Sequence, residues 1–275
     1  MDRLAHRCVW LSAAAACVSI VAWYLYNPFP ESRLEPLGVM HHQNKAACAY
    51  GIFLVLCMYY LFTERGRDNK LVYAGLGLLL LSLVVFTQSR TALAGVGVAL
   101  LVLLGYRALG VLAVALPASW ALLAANPAAW QNRVTHFSFR PGIWQQVLSD
   151  MQDNWWFGRG YLVDPRVAAY DRTFSHAHNA YLASLRDGGL IGLALLLGLL
   201  AVAALWATKL YRQRGERIYL ALLLYGMTCI VMDFDRLLVH PKELWMFFWL
   251  PIALIMAAYP GRDDSGPVRY HGHTS

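Results

Sequence analysis

The chain has 275 residues, of which 59% are hydrophobic and 14% are charged. Ordinary soluble domains carry roughly 25% charged residues, so this composition excludes a disordered chain, argues against a soluble enzyme and favours a protein that crosses a membrane several times. The net charge of +7 gives no reason to expect nucleic-acid binding, because the basic residues form no dense cluster with interleaved aromatics outside the apolar stretches.

Eight apolar stretches predict an all-α, polytopic membrane protein with about eight transmembrane helices. They cover approximately residues 9–26, 46–62, 71–87, 91–105, 108–125, 189–207, 218–234 and 244–259. We therefore expect three parts: helices one to five in residues 1–125, a long loop at 126–188, and helices six to eight with a tail in 189–275. No small-residue cleavage motif follows the first stretch, which predicts an uncleaved anchor rather than a signal peptide.

The distribution of Lys and Arg predicts the orientation of these helices. With the N-terminus in the cytoplasm, twelve basic residues face inward and five face outward, apart from those in the long loop. The densest inward group lies between Lys209 and Arg217. Both termini are then cytoplasmic, and the loop at 126–188 lies on the external side.

Arg90 is the first candidate functional residue. It lies in the tight external turn between the third and fourth stretches, within the sequence Ser89-Arg90-Thr91. An ionisable side chain at membrane depth is a functional candidate, although a boundary arginine that reaches toward the headgroups is an equally ordinary interpretation.

The long loop is predicted to contain a short helix over residues 141–152. Pro141 suits a first helical position, and the apolar residues that follow recur at helical spacing. We expect that apolar face to lie on lipid or on the helix bundle. Arg140 immediately precedes this helix, where free backbone N–H groups favour a bound anion. The sequence Phe157-Gly158-Arg159-Gly160 indicates a turn, and the preceding Trp155 and Trp156 are expected to act as membrane-interface anchors.

His176 and His178 form an alternating pair that could bind a metal if extended, but no third ligand lies at a suggestive spacing. We therefore predict no metal. The alternative is a general base, for which imidazole is well suited near neutral pH. Asp233 and Asp235 lie near Arg236 at the external end of the seventh stretch. Two interpretations are open: a local ion pair between one of these aspartates and Arg236, or a carboxylate that orients His178 or a substrate-binding arginine.

Taken in chain order, these features resemble the superfamily of bacterial O-antigen ligases and polymerases. Ser89-Arg90-Thr91 resembles the motif that opens a span in that family, and Arg140 with Trp144 resembles its loop arginine and downstream tryptophan. The most specific similarity is His178-Asn179 followed, after nine residues, by Gly189-Leu190-Ile191-Gly192.

The resemblance implies a GT-C-like glycosyltransferase of the bacterial inner membrane. Such an enzyme moves a glycan from undecaprenyl diphosphate to a sugar hydroxyl of lipid A–core on the periplasmic face, with inversion and without a metal or other cofactor. It implies that His178 is the general base and that Arg90 and Arg140 bind the diphosphate. The supporting residues would be Asn179, His176, Arg159, Asp233 and Asp235.

Other functions are compatible with the same motifs. One is an O-antigen or exopolysaccharide polymerase, or a protein O-oligosaccharyltransferase. The loop lacks an arginine followed by glycine eleven positions later, a pattern known in some polymerases, and this favours the ligase. A glycolipid transporter or an inactive truncated member is another alternative. Span centres with almost no charge argue against a coupled transporter. Because members usually have more spans than eight, we expect either a natural short form or a fragment with a misplaced start, with the missing helices at the N-terminus.

Overall fold

The computed structural model describes residues 2–29, 32–38, 42–110, 113, 117, 139–151, 154–234, 236–238 and 243–259. The helices in chain order are α1 (Asp2–Tyr24), α2 (Gln43–Thr63), α3 (Arg67–Phe86), α4 (Arg90–Leu104), α5 (Arg140–Ser149), α6 (Ala180–Arg214), α7 (Ile218–Asp233) and α8, in which a π-helical turn (Trp245–Trp249) leads into Leu250–Ala258. Two short antiparallel strands, β1 (Val167–Ala169) and β2 (Arg172–Phe174), form a hairpin.

The predicted all-α polytopic membrane fold is confirmed. Helices α1, α2, α3 and α6 are long and apolar enough to cross a bilayer, whereas α4, α7 and α8 are apolar but shorter. The fifth predicted stretch, 108–125, lies mostly outside the described residues. The total of eight spans therefore stays a prediction.

Helices α2, α4 and α7 meet at the centre of the bundle around Tyr225. This fully buried side chain donates a hydrogen bond of 2.7 Å to the Cys48 carbonyl. Gly51 on α2 and Gly95 on α4 make room for the ring, because a Cβ atom at either position would overlap it. The glycines thus let a large aromatic ring fill the centre of the bundle while its hydroxyl keeps a partner in an apolar environment.

Polar contacts cluster at two opposite ends of the bundle. At one end, Arg217 donates to the Leu103 carbonyl at 2.9 Å and Lys209 donates to the Tyr259 hydroxyl. At the other end, Lys45 forms a 3.2 Å ion pair with Glu243. The residues predicted to be cytoplasmic therefore lie at one end of the bundle, and those predicted to be external lie at the other end. Which end faces the cytoplasm stays a prediction.

Helix α6 is longer than the predicted span at 189–207. It runs from Ala180 to Arg214, with a break in the helical backbone at Gly189. Hydropathy detects only the continuous apolar run after Gly189, because Arg186 and Asp187 interrupt the first nine residues of the helix. The break coincides with the predicted start of the span. At this point the helix leaves a small domain beyond the bundle, which is named the external domain after its predicted side, and joins the bundle.

Candidate active site

The small domain beyond the bundle, predicted to be external, has its own core and carries most of the candidate residues. Its buried apolar side chains come from α5, β1, the segment before α6 and α6 itself: Ile143, Val147, Val167, Ala177 and Ala183. The apolar face of α5 therefore packs against the hairpin and the first turns of α6, not against lipid as one of our expectations had it. This core places Arg140 and the His176–Asn179 segment in one folded unit.

Arg140 is the first residue of α5 instead of the residue before it, and Phe139 precedes it as the N-cap. The tip of the hairpin covers this end of the helix. Tyr170 and Asp171 both have positive φ, as a two-residue hairpin turn requires. The Tyr170 ring lies so close to Gly142 that a Cβ atom there would overlap it. The hairpin thus fixes the position of the helix end that presents Arg140.

Arg172 adds a second positive charge at the same helix end. Its guanidinium lies 5.4 Å from the centroid of the Phe139 ring, within the range of a cation–π contact. Phe139 also packs against Phe174, with ring centroids 5.5 Å apart. The Arg172 guanidinium therefore lies beside the N-cap of the helix that begins with Arg140, and a cation at the amino end of a helix favours an anionic ligand there.

His178 has a left-handed backbone with φ of 50°, an uncommon conformation for a residue other than glycine and one that tends to mark functional sites. Its backbone N–H donates to His176 Nδ1 at 3.1 Å, and the two rings lie 4.0 Å apart between centroids. His176 accepts this bond only while its Nδ1 is unprotonated. The two histidines are therefore not equivalent, since His176 supports the turn that presents His178.

Asn179 is the N-cap of α6. Its side-chain oxygen accepts hydrogen bonds from the backbone N–H groups of Tyr181 at 2.9 Å and Leu182 at 3.2 Å. These bonds satisfy donors that a helix end otherwise leaves without partners. Asn179 thereby fixes the direction of the helix immediately after His178.

The Gly158 turn docks onto the break in α6. Gly189 has φ of 63° and ψ of −162°, and a Cβ atom there would overlap the Trp156 carbonyl. A Cβ atom on Gly158 would lie 2.5 Å from the nitrogen of Gly189. The two glycines are thus in direct backbone contact, which explains why both motifs contain glycine at these positions.

Backbone hydrogen bonds seal this contact. The N–H of Leu190 donates to the Trp155 carbonyl at 2.8 Å, and the N–H of Arg159 donates to the Arg186 carbonyl at 2.7 Å. The loop therefore supplies partners to the helix ends on both sides of the break. The nine residues between Asn179 and Gly189 form one helical segment, about 13 Å long at 1.5 Å per residue. The nine-residue spacing of the motif therefore sets how far His178 lies from the break.

Asp187 is a buried carboxylate that the sequence analysis missed. It is 2% exposed and receives Arg186 Nε at 2.8 Å and Arg236 Nε at 2.6 Å. The two arginines also donate to the carbonyls of Pro165 at 2.8 Å and Val163 at 2.6 Å. This ion triad joins α6, the loop and the segment after α7. An adjacent Arg-Asp pair at the edge of an apolar stretch was the available signal, because such charges need partners.

Arg236 pairs with Asp187 across the fold, and its expected local pair with Asp233 or Asp235 stays a prediction. Asp235 lies outside the described residues, and the side chain of Asp233 is not described. Their predicted supporting roles therefore stay predictions.

Arg90 and Arg159 lie in different surroundings. Arg90 is the exposed first residue of α4, and buried Ser89 caps that helix by accepting from the Ala92 N–H at 3.4 Å. Within the described part of the chain, the Arg90 side chain has no hydrogen bond or ion pair. Arg159 forms a 3.3 Å ion pair with Asp150 just after α5, so it bridges the Gly158 turn to that helix.

The described residues hold no group of three or more His, Cys, Asp or Glu side chains close enough to bind a metal ion together. His176 and His178 are neighbours without a third such ligand in that part of the chain.

Comparison with known proteins agrees with these motifs. Residues 75–197 match the family model described as O-antigen ligase. This match to the O-antigen ligase family covers a little less than half of the chain. The matched range includes Arg90, Arg140 and His178. It also includes Gly158 and Gly189, the two glycines in contact at the break in α6. The resemblance inferred from the motifs is confirmed.

An O-antigen ligase from Pseudomonas aeruginosa is 32% identical to this chain over 257 residues. The aligned region is 91% of this chain and 63% of that protein. The chain therefore spans a little less than two thirds of the length of this relative, while nearly all of its own length resembles an O-antigen ligase.

Proposed function

We propose that this chain is a membrane glycosyltransferase of the O-antigen ligase type. It moves a glycan from undecaprenyl diphosphate to a sugar hydroxyl of lipid A–core. The observation that carries the proposal is the external domain, which holds His178 in a left-handed turn at the start of α6 and Arg140 at the start of α5. A base and an anion-binding helix end in one folded unit are what glycosyl transfer from a diphosphate requires.

The chemistry requires three events in one step. The acceptor hydroxyl attacks the anomeric carbon, the bond from that carbon to the diphosphate oxygen breaks, and the hydroxyl proton leaves. His178 takes the proton as general base. Arg90 and Arg140 neutralise the charge that grows on the departing diphosphate. Attack opposite the leaving group inverts the anomeric carbon, and the arginines do the electrostatic work without a metal.

The remaining candidates act on these three residues. His176 holds the backbone of His178 through its Nδ1 atom, and Asn179 fixes the helix that follows. Arg159 ties the Gly158 turn to the end of α5 through Asp150. Asp233 and Asp235 remain candidates for orienting His178 or an arginine, at the external end of α7.

The test of this mechanism compares substitutions of the two histidines in purified membranes supplied with lipid-linked O-antigen and lipid A–core. His178→Ala should lower transfer by a factor of about 10²–10⁴, the usual contribution of a general base. His176→Asn is the matched control, because the asparagine oxygen can still accept the His178 N–H bond. It should retain most of the activity. If His178→Ala transfers normally while His176→Ala does not, the assignment of the base is wrong.

Metal independence is tested in the same membranes. Transfer should continue in EDTA. Loss of transfer that a divalent cation restores would contradict the proposed electrostatic role of the arginines.

The proposed location is the bacterial inner membrane, with both termini in the cytoplasm and the external domain in the periplasm. Leu162 is fully exposed in that domain, so a Leu162→Cys variant offers a reporter. A membrane-impermeant maleimide should label it from the periplasmic side of intact spheroplasts. Labelling only after the membrane is broken would contradict this orientation.

A further inference from the structure

Arg33 connects three elements at the external end of the bundle. It lies between α1 and α2, and both its Nε and Nη2 atoms donate to the Thr87 carbonyl, at 3.1 and 3.0 Å. The Nη2 atom also donates to Asn44 Oδ1 on α2 at 3.1 Å. One planar guanidinium therefore joins the segment after α1, the first turn of α2 and the end of α3.

The neighbouring residue strengthens the same connection. The N–H of Leu34 donates to the Phe86 carbonyl at 3.0 Å, and the Leu34 side chain is fully buried. Phe86 and Thr87 are the last residue and the C-cap of α3, where helix carbonyls lack partners within the helix. A cation at that position also complements the negative end of the helix dipole.

This end of α3 determines where α4 begins. Only Thr87, Gln88 and Ser89 separate the two helices. Gln88 has a left-handed backbone with φ of 53°, and Thr87 Oγ1 donates to the Val84 carbonyl at 2.6 Å. A three-residue turn with this geometry passes any displacement of Thr87 directly to Arg90, the first residue of α4.

We infer that Arg33 is a positioning residue for Arg90. This inference rests on the proposed function, in which Arg90 binds the diphosphate of the lipid donor. Arg33 holds the Thr87 carbonyl and Asn44 in one fork, and so keeps the exposed Arg90 side chain at one place relative to the external end of the bundle. Its role is to lower the reorganisation needed when Arg90 meets the diphosphate.

The experiment measures the Kd of undecaprenyl diphosphate for the full chain in detergent, with a double-mutant cycle. Arg90→Gln should weaken binding about tenfold, because it removes a charge-assisted contact to the diphosphate. Arg33→Gln should weaken binding by a similar factor, about tenfold, through misplacement of Arg90. In the Arg90→Gln background, Arg33→Gln should cause no further loss, because the residue it positions is already absent.

Arg33→Lys separates positioning from charge. Lysine keeps the charge but lacks the fork that reaches Thr87 and Asn44 together. We expect its Kd to lie near that of Arg33→Gln. Binding as tight as in the unchanged chain would mean that charge alone matters, and this would overturn the inference.

Arg217→Gln is the matched control for a general structural effect. Arg217 also donates to a carbonyl at the end of a helix, that of Leu103 on α4, but at the opposite end of the bundle. It should lower thermal stability about as much as Arg33→Gln while leaving the Kd unchanged. Equal weakening of binding by both variants would overturn the positioning role.

The two hypotheses fail in different ways. If Arg90→Gln binds the probe as tightly as the unchanged chain, the proposed diphosphate role of Arg90 fails and the inference falls with it. If Arg90→Gln weakens binding but Arg33→Gln does not, or if the two losses add in the double variant, only the inference fails.

Discussion

The break at Gly189 offers the sharpest test of how the external domain is joined to the bundle. Gly189→Ala places a side chain at φ of 63° and ψ of −162°, a region that only glycine occupies readily, at a cost of about 1–3 kcal/mol. The new Cβ atom also overlaps the Trp156 carbonyl, so the loop must move. That movement threatens the 2.8 Å bond from Leu190 to Trp155, worth about 1 kcal/mol. Together we expect a loss of about 3 kcal/mol or more.

Gly188→Ala is the matched control, one residue away. Gly188 lies within the helix, and a Cβ atom there meets nothing within 4 Å. Alanine should be neutral or should stabilise the helix by about 0.5–1 kcal/mol. The free energies of unfolding would be compared by steric trapping in bicelles. Equal stability of the two variants would refute the proposed docking of the Gly158 turn onto the break.

Three further predictions concern the same domain. Asp187→Asn should lower the free energy of unfolding by about 3–5 kcal/mol, because it leaves buried Arg186 without its carboxylate. In the same unfolding assay, Asp164→Asn, in an exposed ion pair, should change nothing measurable, and similar losses in both would contradict this. Asn179→Ala should cost about 1 kcal/mol through loss of the helix cap, and Asn179→Asp should restore it, as measured by thermal unfolding. Burial, and then the Asp187 carboxylate, raise the pKa of Tyr161 above its ordinary value of 10.0. The stability that its neutral phenol contributes is therefore complete below pH 10 and is lost as pH rises through the folded pKa. A difference absorbance titration against Tyr161→Phe should show that this phenol ionises at a pH above 10.

The fold class was predictable from the sequence because it depends on hydrophobic length. Stretches such as 46–62 and 71–87 became helices Gln43–Thr63 and Arg67–Phe86 with small shifts at their ends. The start of α6 was missed because residues 180–188 are mostly polar or small, and their helix depends on the Asn179 cap and on packing in the external domain. The hairpin was missed because three-residue strands carry too little pattern to identify.

Site residues were predictable where a local motif carries the signal. Arg140 and His178 were recognisable from their positions beside a helix start and in a histidine pair, and the structure places both in one domain. Asp187 and Arg33 were missed because their importance depends on partners distant in sequence, Arg236 in one case and Thr87 in the other. Such long-range pairs leave no signature in a single sequence.

The most direct test of the central claim is a transfer assay with the unchanged chain in proteoliposomes. Undecaprenyl-diphosphate-linked O-antigen and lipid A–core would be supplied together, and the products separated by gel. The account predicts a ladder of O-antigen on lipid A–core and release of undecaprenyl diphosphate. Donor converted into longer lipid-linked chains would contradict the proposed acceptor and indicate a polymerase. Intact donor in the presence of folded protein would contradict the proposed transferase activity itself.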